Sequence, residues 1–567
     1  MRKIVCIVTV LGVLSAASAS AQSSSAQDAA RTDAVVREAM ATYREALSAG
    51  VQPPGDQQSP TGRQSPGGLR ELSLEESVKL ALEQNLDIQV SRLDPLSNDL
   101  TVEGFQNIFR PSLTSTLGKR DQTVPATSTL AGGTTGVSTD TTTYNVGVTQ
   151  PLTWGGGNFS VGWNNARAFT SDTRVNFNPS FTSFFNASIN QPLIRGFKID
   201  NTRQQLQIAI IARESSELGV RATVAQTVAN VRNAYWDLVF ARSAVDVARR
   251  ALSLADRLVE DNQARVEVGT LAPLDIVQAQ AEAATRRQTL ASAEAAASTA
   301  ELALKRFLVS GTEDPLFRQE VVPVDVPSLS PPPTDVEDAV RRAIAERTDI
   351  ETSRRNLEAN DVNIRFFKNQ TLPSLDLTAN YGAQGIGGPR AIRTGTGADA
   401  QVTEVIPGGY SDALAALTGR DFPNWNVSMT MSYPLMGNQA QAQEARARIQ
   451  RQQAQTRIRA LEVQIAAEVA NAAFTVQANL RRVEASTAAR ELAQKRLEAE
   501  QSRFEVGLTT NFFVVQAQRD LRDAENTELR ALADYRKSLV NYERAQQAPA
   551  GGGGGGGTAA TTGGIGS

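Results

Sequence analysis

Histidine is absent from all 567 residues, cysteine occurs once, and aromatic residues make up only 5% of the chain. Without imidazole there is no His-ligated zinc, no Ser-His-Asp triad, no Cys-His pair and no histidine general acid or base. Most familiar enzyme mechanisms go with it, and the many carboxylates lie on helical patterns without a clustered pair, so neither an enzyme nor a bound cofactor is expected. No G-x-x-x-x-G-K-[ST] sequence is present to cradle a nucleotide. Charge of one sign is not in excess either: Lys+Arg 57 against Asp+Glu 60 leaves a formal net charge of −3 and no reason to expect nucleic acid as a partner. Past residue 21 no apolar run reaches the roughly 18 residues of a membrane-spanning helix. The product is then soluble outside the cytoplasm or inserted as β-strands.

Residues 1–21 read as a secretory signal, with Arg2 and Lys3 before the apolar Ile4 to Leu14 and the small residues Ala19, Ser20 and Ala21 before Gln22. Its removal takes away Cys6, so the mature chain can form neither a disulfide nor a thiolate metal site. Residues 22–70 are rich in Ser, Gln, Pro and Gly and read as a disordered arm with one short helix around Val36, Met40, Tyr43 and Leu47. Residues 321–334 contain VVPVDVPSLSPPP, a proline-dense linker that cannot be helical, and residues 548–567 form a disordered Gly-rich tail.

On either side of that linker, residues 71–320 and 335–547 repeat one another. RVEVGTLAPLDIVQAQ from Arg265 aligns without gaps on RFEVGLTTNFFVVQAQ from Arg503. Earlier landmarks pair in the same order: Asp87-Ile88 with Asp349-Ile350, Pro111 to Leu113 with Pro373 to Leu375, and Gln191 to Leu193 with Tyr433 to Leu435. Each copy reads helix, strands, very long helix, tight turn, helix. The first long helix runs from about Ile199 to Val268, roughly 100 Å at 1.5 Å per residue. Along it Val224, Val231, Leu238, Val245, Leu252 and Val259 recur every seven residues, flanked by a small-residue seam of Ala234, Ala241, Ala248 and Ala255, the pattern of a left-handed coiled coil. Ile465, Val469, Ala472, Val476, Leu480 and Val483 mark a looser face in the second copy.

The strands alternate with period two. Trp425, Val427, Met429, Met431 and Tyr433 are interleaved with Asn426, Ser428, Thr430 and Ser432, and the same alternation appears around Leu375–Tyr381, Phe185–Ile189, Phe159–Trp163, Tyr144–Val148 and Leu113–Leu117. Six strands are legible, with Trp154, Trp163 and Trp425 in or beside them, as aromatic girdles of a membrane barrel require.

The duplicated order of LSLEESVKLALEQN, FRPSL, a strand ending QPL, and a long helix closing in R-[VF]-E-V-G and reopening at VQAQ resembles the outer-membrane efflux protein (TolC) family over roughly Leu72 to Gln546. The resemblance implies an α+β membrane protein in which a duplicated half-molecule forms a homotrimer, with one long coiled α-helical barrel crossing the periplasm and one shared transmembrane β-barrel in outer-membrane lipid. It implies an exit duct that receives substrate from an inner-membrane pump through a periplasmic adaptor (membrane fusion protein). Substrates would be drugs, other small organic molecules or secreted polypeptides, since five Met and no His disfavour metal export. A periplasmic adaptor would carry one hairpin between split soluble β-domains, and a secreted coiled-coil rod would lack the alternating strands; both fit less well.

The resemblance also places adaptor docking at the turns, making Arg265, Gly269, Thr270, Arg503, Gly507 and Leu508 the candidates. Glycine suits the αL position that ends a helix, Pro273 restarts one helix and Thr510 can cap the other, so these residues serve equally as plain caps and dipole partners. In the best-known pattern of the family, aspartates six and nine residues after the second tip glycine form acidic rings; here Phe513 and Gln516 stand there, while the first copy keeps Asp275. The expected entrance is narrowed by Phe513, with Asp275 in interhelical contacts and weaker block by multivalent cations. A second departure is an added hairpin, Tyr144–Leu152 and Gly157–Asn165. Either a trimer closes about 18 strands, or this hairpin folds over the mouth or onto the periplasmic rim.

Overall fold

A computed structural model describes residues 68–125, 136–172, 174–269, 272–326, 335–394, 401–435, 439–506 and 508–549. The expected signal, nearly all of the arm, residues 327–334 of the linker and all but the start of the tail lie outside them, as do the docking candidates Thr270 and Gly507. In the first copy the elements are β1 (Leu69–Leu72), α1 (Leu74–Gln84), α2 (Leu86–Asn107), β2 (Ser112–Val124), β3 (Val137–Pro151), β4 (Asn158–Thr170), β5 (Ser180–Pro192), α3 (Asn201–Glu267), α4 (Pro273–Leu308), α5 (Pro315–Arg318) and β6 (Glu320–Pro323). The second has α6 (Val336–Glu346), α7 (Thr348–Gln370), β7 (Ser374–Gly387), β8 (Arg390–Thr394), β9 (Gln401–Ile406), α8 (Tyr410–Gly419), β10 (Phe422–Ser432), α9 (Gln439–Glu505) and α10 (Asn511–Gln547). The repeat is visible in helix lengths: α3 and α9 both have 67 residues, and the returning α4 and α10 have 36 and 37. No helix among the described residues is long and apolar enough to cross a membrane.

The chain divides into two compact units, one from Asn98–Arg213 and Asn356–Gln455, the other from the remaining segments. The first unit holds a six-stranded antiparallel sheet in the order β10-β7-β5-β4-β3-β2. All six strands expected from alternation are there, and the added hairpin is β3–β4, paired on both sides inside the sheet; it folds over neither mouth nor rim. The register sorts the side chains. One row runs Leu113, Val148, Val161, Ala187, Tyr381, Trp425, and the adjacent row, on the opposite face, runs Ser112, Thr149, Ser160, Ser188, Asn380, Asn426. Hydroxyls and amides on that polar face bond across strands, as in Ser160 to Ser188 (2.8 Å) and Asn164 Nδ2 to Asn186 Oδ1 (3.1 Å). The connections to α2, α3, α7 and α9 all leave from one end of the sheet, which carries the first residue of β2 and of β7 and the last of β5 and of β10.

The second unit is helical. Val224, Val231, Leu238 and Val245 are buried together with Ala234, Ala241, Ala248 and Ala255, which is the seam the heptads predict; Leu252 and Val259 are half-buried. In the second copy Ile465, Val469, Val476 and Val483 pack with Ala339, Ala343, Ile350 and Tyr535. Two boundaries differ from expectation. Leu69 and Arg70, assigned to the arm, and Val321 to Pro323, assigned to the linker, form the parallel pair β1–β6. Val321 is fully buried there, and Pro323, which lacks a donor, sits on the strand's last position. The Tyr235 hydroxyl fixes this corner, donating to Asp325 Oδ2 (2.8 Å) and accepting from the Asp325 amide (3.2 Å). Burial pushes the Tyr235 phenol well above its usual range.

Glu525 of α10 illustrates the cost of a partly buried charge. Desolvation raises its carboxyl above the ordinary carboxylate range, with Arg250 and Arg490 opposing the shift and Glu528 adding to it. A carboxyl with a raised folded-state pKa favours folding less once ionised, so this cost is present above that pKa and disappears below the unfolded value. Glu525→Gln is therefore expected to stabilise the protein at neutral pH and to lose its advantage in acid. Thermal unfolding of both forms across pH 4–8 checks this; an advantage that grows in acid would contradict it.

Candidate functional site

The two hairpin turns are closed by different backbone bonds. Gly269 takes φ +79°, a conformation that side chains rarely tolerate, and its N–H bonds Val266 O at 2.9 Å to end α3. Ala272 is the extended N-cap of α4 with Pro273 in the first turn. At the second turn Leu508 N–H reaches back to Arg503 O at 2.8 Å, closing α9. Thr510 is the extended N-cap of α10, but its hydroxyl makes no capping bond, contrary to the role expected from sequence.

The structure assigns most candidate side chains a partner. The Arg265 guanidinium lies 4.5 Å from the centre of the Phe504 ring, joining the end of the first hairpin to the second. Arg503 pairs with Glu500 one turn earlier on its own helix, at 3.2 Å. Gln516 donates to Asp520 Oδ1 (2.8 Å), whose other oxygen holds Arg496 at 2.9 Å, so Gln516 faces a carboxylate held by α9. Asp275 stands half-exposed in the first turn of α4, where the helix dipole favours its charge. Phe513 is half-exposed and stacks edge-on against Phe512 with ring centres 5.5 Å apart. Leu508 is 74% exposed.

Sequence reasoning missed two sets. Val268, Leu274, Val277, Val506 and Phe512 are all exposed around these turns; apolar residues in a turn, where polar ones ordinarily serve, were the available signal. Further along the hairpins Glu282 of α4 pairs with Arg286 on its own helix and with Arg519 of α10. Glu282 and Arg286 are only 5% and 4% exposed. Their four-residue spacing was readable, but the burial and the third partner were not. Between the two sets, Leu497, Phe504, Val514 and Ala517 form a small apolar core. No cluster of metal-binding side chains occurs among the described residues.

This arrangement of an antiparallel sheet with one exposed apolar face and long paired helices is the fold of outer-membrane channels. The chain is similar to a membrane protein of Pseudomonas aeruginosa (TM-score 0.59, 18% identity, covering 83% of this chain and 92% of that one). It is also similar to the CmeC outer membrane channel of Campylobacter jejuni (0.59, 13%, 88% and 94%) and to the MtrE outer membrane channel of Neisseria gonorrhoeae (0.56, 16%, 88% and 98%). At these identities the likeness is one of fold. The profile of the outer membrane efflux protein family matches residues 158–309 and 339–545, well over half of the sequence, and the chain belongs to that family. No curated protein matches it in sequence. It is an outer-membrane exit channel, of a transport family and not an enzyme family.

Proposed function

We propose that three copies of this chain close one β-barrel of about 18 strands and one helical tunnel, forming the passive last stage of a tripartite efflux pump or type I secretion system. The observation that carries the reading is the sheet itself. Its apolar face is exposed at Leu113, Val146, Ile189, Tyr381 and Trp425 and half-buried at Val148, Val161 and Ala187, and β2 and β10 end the sheet with no strand partner among the described residues. Open edges are not tolerated in hydrocarbon, so six strands must be completed by other copies. The polar face then lines the duct and the four helices leave on the periplasmic side. The signal at residues 1–21 supplies export.

The hairpin turns are the far ends of the tunnel and take the periplasmic adaptor, which links the duct to an inner-membrane pump. Arg265 is held over Phe504, while Arg503, 59% exposed beside Glu500, stands with the exposed Leu508, Val268, Val506 and Phe512 on the contact surface. Docking then combines apolar contact with the Arg503 charge; Gly269 shapes the first turn, and Thr270 and Gly507 stay among the docking candidates. Phe513 is the gate, backed by Gln516, and Asp275 is its acidic neighbour. Phe513→Ala is expected to raise the closed-state conductance several-fold in planar bilayers. An unchanged closed conductance would remove Phe513 from the gate, and a purified protein that shows no heat-modifiable oligomer would remove the shared barrel.

A further inference from the structure

Helix α8 (Tyr410–Gly419) lies in the connection from β7 to β10, at the end of the sheet opposite the one from which the connections to α2, α3, α7 and α9 leave, and it packs against the apolar face. The approach is close. A Cβ at Gly385 would fall 1.9 Å from Ala413 O, and one at Gly387 would fall 2.6 Å from Ala413 N, so the two glycines make a seat that only a helix backbone fills. Tyr410 opens the helix and stacks edge-on against Tyr144 and Phe181, with ring centres 5.8 and 6.3 Å away.

Beneath the helix, the apolar face holds polar groups. Asn165 is 4% exposed, and its Oδ1 accepts from the Tyr410 hydroxyl (2.7 Å) and from the Ser183 hydroxyl (2.7 Å). Its amide donates to Tyr144 O (3.2 Å), and Ser183 in turn accepts from the Trp163 indole (2.8 Å). Such groups facing hydrocarbon would each cost several kcal/mol if unpaired; α8 supplies one partner and covers them. Its outward side chains are of another kind: Ser411, Ala415 and Thr418 are exposed, and Asp412 bonds the Gly409 amide at 2.8 Å. That surface is too polar for the hydrocarbon. Beside the covered patch stand the exposed aromatics Trp163, Tyr381 and Trp425, the residue types that mark a membrane–water boundary. From there the apolar band continues to Met431, about 20 Å along the strand at 3.3 Å per residue.

We propose that α8 is an interfacial helix, seated in the headgroup layer of the outer leaflet against the outside of the barrel, with lipid headgroups as its partner. The proposal rests on the duct reading, because it takes the apolar face as the lipid side. It gives the barrel a fixed depth: the helix stops the wall from sinking, and the aromatic row below it stops the wall from rising.

The test uses the full chain with Cys6→Ser and a single Ala415→Cys carrying a fluorophore, reconstituted in phosphatidylcholine vesicles with nitroxides at the headgroup or deep in the acyl chain. Headgroup nitroxide should quench several-fold more than deep nitroxide. Quenching by aqueous iodide alone would put the helix in water, stronger quenching by deep nitroxide would put it in hydrocarbon, and shielding from all three would put a second protein copy there; each result overturns the proposal. A label at Met429→Cys, in the middle of the apolar band, should be quenched most by deep nitroxide; failure there would remove the membrane reading itself. Gly385→Leu, added to the Ala415→Cys protein, should lift the helix from its seat and shift quenching from headgroup nitroxide to iodide. No shift would overturn the glycine seat as what holds the helix at that depth.

Discussion

Glu282→Ala is expected to destabilise the hairpin ends by about 3–5 kcal/mol, the usual cost of breaking a buried ion pair by removing one partner. Arg286 is 4% exposed and Arg519 reaches the same carboxylate from α10, so one acid neutralises two cations at the contact between hairpins. Without it the Arg286 guanidinium stays buried beside a second positive charge. Removing Arg519 instead takes away a side chain that is nearly half exposed, and its loss should cost only about 0.2–1 kcal/mol. Exchanging Glu282 and Arg286 together for leucine and methionine should recover most of the loss, because the pair itself contributes little against apolar packing. Denaturant unfolding of the four proteins, with trypsin cleavage near the turns as a local readout, separates these cases. A Glu282→Ala loss below about 1 kcal/mol would sink the argument.

The second large effect belongs to Arg347→Met, again about 3–5 kcal/mol. Arg347 is 1% exposed and its guanidinium holds Asp349 at 3.0 Å, Glu468 at 2.9 Å and the carbonyl of Ala545 at 2.9 Å. It thereby ties the α6–α7 joint to α9 and to the last turn of α10. Its removal would leave Glu468 with Arg544 at 3.6 Å and would take the guanidinium away from Asp349 and from the Ala545 carbonyl. Lysine should not rescue the variant, since one ammonium cannot reproduce a planar fork of three separate bonds. Loss of cooperative unfolding in the helical signal of Arg347→Met would be the observation; a midpoint equal to wild type for either variant would refute it.

The first copy solves the same joint differently. Asn85 stands where Arg347 does in the repeat, and its amide donates to Phe307 O at 3.1 Å, the counterpart of Ala545 O. Its Oδ1 accepts from the amides of Asp87 and Ile88. The repeat around Asp87-Ile88 and Asp349-Ile350 was legible, but the shared role of two unlike residues beside it was not. Their shared carbonyl partners, Phe307 and Ala545, lie 222 and 198 residues away in sequence.

That contrast marks what the sequence carried throughout. Val224 to Val245 and the strands Leu113 to Met431 were legible because burial follows a local period of seven or two. The αL glycine at 269 and Pro273 were legible because a turn demands particular backbones. The cation over Phe504, the Glu282 cluster and the β1–β6 pair depend on which distant segments meet, and no local period encodes that. Helix α8 was missed for a related reason: ten residues rich in Ala and Leu have too little periodicity to stand out, and its seat is two glycines on a strand that otherwise reads as ordinary alternation.

The row from Ser112 to Asn426 is composed wholly of hydroxyls and amides. On the whole face to which it belongs, Arg120 and Asp376 are the two ionisable residues of the strands. Such a wall can donate and accept hydrogen bonds with anything that passes, yet it presents almost no fixed field to attract one sign of charge or repel the other. If this face lines the duct, as proposed above, the barrel wall does little to tell an anion from a cation or a sugar, and the choice of cargo falls to whatever loads it.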